Sequence, residues 1–149
     1  MNIRVLEKGC SKDIKAFRSL PFRLYRQNPF WVPPLPGEIE TVMSPGLHPF
    51  YTHSEADFIV LEDNHEILGR LAILHNRNYC ALHQEKTAFF YYFEAVEDAQ
   101  VVEELFDFAD KMDEYGIDYS LLYGGIVIVK WEAYNTENTA LRQLIYESE

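Results

Sequence analysis

No apolar run in this sequence is long enough to cross a bilayer as a helix, and no membrane partner is expected. The opening Met1-Asn2-Ile3-Arg4 lacks the long apolar stretch of a secretory signal. Cysteine is nearly absent: Cys10 and Cys80 are the only two, too few for a disulfide framework and not at metal-ligand spacing. That scarcity fits a reduced, cytoplasmic protein. His48, His53, His75 and His83 show no metal-like spacing such as i and i+4, so no metal site is expected. No Ser or Cys sits in a nucleophile-elbow context. There is no internal repeat and no low-complexity tract.

Basic residues run short in one place. Residues 1–86 hold ten Lys/Arg against ten Asp/Glu, but residues 87–149 hold three against fourteen. The whole net charge of −11 therefore falls on the C-terminal part. A nucleic-acid partner would meet a repulsive field there and is not expected. An amine substrate or cationic partner would be drawn in. The alternative is a soluble acidic surface with no further role.

What is present is enough chain, 149 residues, for one domain with a real core. Asn2–Glu7 alternates like a strand. Ser11 reads as the N-cap of a helix over Lys12–Arg26, with Ile14, Phe17, Leu20 and Leu24 on one stripe and Pro21 expected to break it in two. All seven prolines fall between Pro21 and Pro49. The aromatics Phe30, Trp31, Phe50 and Tyr51 among them predict an ordered segment packed on the domain, with a short helix over Gly37–Met43; a proline-rich ligand for a recognition domain is the alternative. Ala56–Glu62 and Glu66–Leu74, joined by Asp63-Asn64-His65, predict a hairpin. Gly69 marks a bulge or a close backbone approach.

Residues 76–85 read as a loop. Thr87–Phe93, apolar on both faces, reads as a central strand. Ala99–Tyr115 repeats apolar residues at three and four, as a core-facing helix ended by Gly116. Tyr119–Tyr123, Gly124-Gly125 and Ile126–Glu132 read as strand, turn and strand. A weak amphipathic helix over Thr136–Glu147 closes the chain. A mixed α/β (α+β) sheet with helices on both faces satisfies this order in a single domain, residues 1–149.

The order resembles the GNAT superfamily of acetyl-CoA-dependent N-acetyltransferases. LPFRLYRQNPFWVPPL, HPFYTHSEADFIVLEDNHEILGRLA and FFYYFE resemble a little-characterised GNAT-like bacterial family over roughly the first two-thirds of the chain. VKWEAYNTENTALRQLIYE resembles the strand and helix that close a GNAT domain, in a shortened or divergent form. The resemblance implies a mostly antiparallel central sheet and acetyl-CoA as cofactor. It implies Glu94 as a general base acting through water on an amine, and Tyr146 as the acid that protonates the departing thiolate. The backbones of Phe93, Ala95 and Val96 would hold the pantetheine arm.

In such enzymes the helix after the fourth strand receives the pyrophosphate on its N-terminal amides, over a turn carrying glycines and a basic or Gln residue. Here that turn is Ala95-Val96-Glu97-Asp98, with no Gly, Arg or Lys. Each close contact between its carboxylates and a phosphate would cost about 1–4 kcal/mol near a surface. Asp98 is the natural N-cap of the helix. Two readings follow: an N-acetyltransferase of a small or peptidyl amine, or a GNAT-like domain without catalysis, used for assembly or ligand sensing. A free sheet edge would also favour a homodimer.

Overall fold

The computed structural model describes residues 1–84, 87–112, 121–123 and 126–128. Strands β1 (Asn2–Val5), β2 (Glu55–Asp63), β3 (Glu66–His75) and β4 (Phe89–Ala95) form a four-stranded sheet in the order β1-β2-β3-β4, antiparallel at every ladder. Helices α1 (Ser11–Leu24) and α2 (Glu38–Val42) cover one face and α4 (Ala99–Met112) the other. The short helix α3 (Arg77–His83) links β3 to β4. Leu121–Tyr123 (β5) and Ile126–Ile128 (β6) make a separate antiparallel hairpin. β6 lies beside β4, and among the described residues no ladder joins them. Among the described residues no helix is long and apolar enough to cross a membrane. The mixed α/β architecture matches the sequence reading; the closing helix expected over Thr136–Glu147 and the stop at Gly116 lie outside the described residues.

Strand alternation builds two cores. β2 sends Ile59 and Leu61 toward α4, where they meet Leu71, Phe90, Val101, Leu105, Phe106 and Ala109. It sends Phe58 and Val60 the other way, onto Ile14 and Phe17 of α1 and Ile39 of α2. Fully burying each such large side chain contributes about 1.5–3 kcal/mol. The hairpin turns through Asn64 and His65, whose φ angles of 48° and 69° are the left-handed pair that matches strand twist. Gly69 fulfils both expectations at once. Leu68 is an extra residue in the β2–β3 ladder beside it, and a Cβ on Gly69 would lie 2.5 Å from Leu105 Cδ1.

Four expectations are corrected. The helix begins at Ser11 itself, with Cys10 in the N-cap position and no side-chain cap bond there. Asp13, inside the first turn, instead ties the helix start to the preceding segment, its carboxylate accepting from the Glu7 backbone N–H at 2.8 Å and from Arg4 at 2.7 Å. Pro21 does not break α1, which runs continuously from Ser11 to Leu24. Proline removes the N–H that would have bonded the carbonyl of Phe17; Arg70 Nη1 donates to that carbonyl instead, at 2.8 Å. The stretch read as a loop is helix α3 over most of its length. Asn76 caps it by accepting from Tyr79 N at 3.1 Å, and the Tyr79 ring packs on His83 and Phe89. Finally, among the described residues β4 ends the four-stranded ladder instead of lying at its centre, and it starts at Phe89.

The proline-rich segment is ordered but only partly buried. Ile39 and Met43 enter the core, and Trp31 packs on Phe22 and Tyr25 with ring centroids 5.1 and 5.5 Å away. Phe30, Val32 and Leu35 stand largely in solvent.

Candidate functional site

β4 carries one residue more than β3 at its midpoint: Ala72 pairs with Tyr91, and Arg70 with Glu94. The extra residue leaves Tyr92 at φ 55°, a left-handed conformation that costs a non-glycine residue about 1–2 kcal/mol. The strained residue re-phases the strand. Phe90 and Phe93 both reach the α4 core, while Tyr92 packs on the α1 side. Glu94 therefore shares a face with Arg70, which strict alternation from Phe90 would have denied it.

Arg70 is the centre of this arrangement. Its side chain is 4% exposed and that of Glu94 is 18% exposed. Arg70 Nε donates to Glu94 Oε2 at 2.7 Å, and Nη2 lies 2.6 Å from the same oxygen. Its guanidinium carbon sits 4.7 Å from the Phe17 ring centroid and 5.5 Å from that of Tyr92. Burial pulls the guanidinium below its ordinary pKa, and the Glu94 charge opposes that pull. Burial, then Tyr91 and Glu38, hold the Tyr92 phenol well above its usual value; its hydroxyl donates to Glu38 Oε1 at 3.3 Å.

The expected site residues fall as follows. Glu94 stands at the end of β4, as placed by the sequence, but its Oε2 is committed to Arg70. A water-mediated base would have to loosen that pair before taking a proton. Phe93 packs its ring on Phe106, with centroids 5.0 Å apart. Ala95 pairs with Gly69 in the ladder. Val96 has both backbone groups engaged: its N–H donates to Leu68 O at 2.8 Å, and its carbonyl accepts from Asp98 N at 2.7 Å. Tyr146 lies outside the described residues.

The α4 N-terminus is closed by the chain itself. Asp98 Oδ1 accepts from Gln100 N at 2.9 Å, as an N-cap does. Glu97 and Asp98 are exposed beside it. A diphosphate arriving at these amides would displace one carboxylate and face another.

Sequence reasoning passed over Arg70 as a site residue, although a signal was there. An arginine inside EILGRLAIL, an apolar strand, must be paired if it is buried. A proline inside a helix likewise leaves a carbonyl that needs a donor. His53 is placed as a structural hydrogen-bonding residue: Nδ1 lies 2.6 Å from Ser54 Oγ, which accepts from Arg77 N.

Comparison with protein-family models, with curated proteins and with solved structures returns no match to this chain.

Proposed function

We propose that this chain is a GNAT-like domain that does not transfer acetyl groups and serves in assembly or ligand sensing. One observation carries the reading: the junction between β4 and α4 satisfies itself. Val96 bonds within the fold, Asp98 caps the helix, and Glu94 is held by Arg70. Acetyl-CoA in the usual mode would need those same groups free. For assembly, β1 leaves one edge of the four-stranded sheet unpaired among the described residues, where a homodimer would add strands. Sedimentation equilibrium tests that part directly.

A second reading, N-acetylation of a small amine, is favoured by the position of β6. It lies beside β4 without ladder pairing among the described residues, the kind of gap a pantetheine arm would occupy. Thermal unfolding with acetyl-CoA separates the two. A ligand at a hundred times its Kd stabilises by about 2.7 kcal/mol, or about 5–10 °C in a domain of this size. No rise in Tm at millimolar acetyl-CoA is expected. A rise of that size would remove the closed-junction argument, and acetyl transfer to an amine by the same protein would then establish the second reading.

A further inference from the structure

The face of α1 turned from the sheet carries Lys15, Arg18, Ser19 and Phe22, and residues 32–37 run alongside it. Together they wall a groove of about 720 Å³. Small-molecule sites typically measure roughly 300–1,000 Å³. Ile39, 1% exposed, lines the groove between the walls. Phe22, Val32 and Leu35 stand 44%, 82% and 76% exposed along it, far more open apolar surface than isolated surface residues would give. Three prolines, Pro33, Pro34 and Pro36, fix the backbone of one wall, so little ordering is needed when a ligand arrives.

The polar groups of the groove are few and lean positive. Arg18 is paired with Glu40 through Oε1, while the buried Glu40 Oε2 accepts no hydrogen bond among the described residues. Lys15 is exposed and makes no ion pair among the described residues. A chain of net charge −11 thus keeps one unspent cation beside this apolar concavity. The proline wall argues against an extended peptide as occupant, because three of its residues have no N–H to pair with a strand.

We propose that this groove binds one soluble amphipathic monocarboxylate of the medium-chain fatty-acid type. Its hydrocarbon lies against Phe22, Val32, Pro34 and Leu35, and its carboxylate sits on the Lys15 ammonium. An alkyl cation would meet Lys15 and Arg18, two cations against the single carboxylate of Glu40, which Arg18 already pairs; a neutral alcohol would leave Lys15 unused. The site is separate from the β4–α4 junction, so the acetyl-CoA result does not bear on it.

Trp31, edge-on to Phe22, reports the groove. Fluorescence of the Trp131→Phe protein, which keeps Trp31 alone, is followed while sodium decanoate is added below its micelle-forming concentration. Calorimetry on the unaltered chain repeats the measurement. A saturable response is expected, weakened about tenfold by Lys15→Glu. Arg26→Glu makes the same charge change at an exposed position outside the groove and is expected to leave affinity within about twofold. Four results would overturn the proposal. They are no saturable response in either measurement, equal weakening by the two variants, decylammonium binding as tightly as decanoate, or a response only to anionic lipid vesicles.

Discussion

Replacing Arg70 by Met tests the link between β3 and the proline of α1. Methionine keeps the apolar stem but removes every donor. Glu94 then loses the guanidinium at 2.6–2.7 Å, and Phe17 O loses its donor at 2.8 Å. Breaking a buried ion pair by removing one partner costs about 3–5 kcal/mol. The orphaned carbonyl is a separate part of the loss, worth about 1–3 kcal/mol more. Pro21→Ala supplies the missing helical N–H to the same oxygen. In the Arg70→Met background it should recover that part on top of any gain in helix propensity. In the natural background the carbonyl already has a donor, so only the propensity gain remains. The two substitutions should therefore couple by at least about 1 kcal/mol, beyond the roughly 0.5 kcal/mol within which independent sites add. Urea unfolding of the four proteins, followed by far-ultraviolet circular dichroism, gives the cycle. If Pro21→Ala moves the midpoint equally with and without Arg70, the guanidinium is not standing in for the lost amide.

Three further outcomes follow from named contacts. Gly69→Ala places a methyl 2.5 Å from Leu105 Cδ1 and 3.1 Å from Val101 Cγ1, both side chains fully buried, and should destabilise by about 1–3 kcal/mol in thermal unfolding; unchanged stability would mean that α4 yields at no cost. Asp98→Ala should lose about 1 kcal/mol while Asp98→Asn, an equally good cap, loses almost none; equal losses in denaturant titration would remove capping as the cause. Burial pushes the Asp13 carboxyl up, but Arg4 and the Glu7 N–H outweigh it and hold its pKa below the ordinary 3.8. A group depressed on folding stabilises above its unfolded value and loses that contribution as pH falls through its folded one. The Tm gap between the natural protein and Asp13→Asn should therefore be full at neutral pH and shrink below 3.8; a gap that widens in acid would contradict the assigned ion pair.

Much of the fold was legible in local pattern. The hairpin announced itself in Asp63-Asn64-His65 between two apolar runs, and α4 in its three-and-four spacing with Asp98 ahead of it. Helix α3 was missed because seven residues, RNYCALH, carry little periodicity; its one usable signal was Asn76, three residues before Tyr79. Pro21 misled because a local rule predicts a break, whereas the compensating donor sits 53 residues away on another element. The same limit hid the role of Glu94. Its position at a strand end was readable, but its partner Arg70 lies 24 residues earlier. The doubled aromatic Tyr91-Tyr92 hides the bulge, since a strand apolar on both faces gives no cue that its alternation has slipped.

That slip makes the register of β4 as informative as its composition. Upstream of Tyr92 the strand counts odd and even one way, and downstream it counts them the other way. Removing Tyr92 itself would leave Ala72 opposite Tyr91 and Arg70 opposite Glu94, so inside and outside would stay as they are up to Ala95. Straightening the strand with Tyr92 retained would do the opposite: Phe93 would be turned from its hydrophobic seat and Glu94 thrust beneath α4, among Leu105 and Phe106. The bulge, and not the bare count of residues, decides which half of the protein the strand's end belongs to.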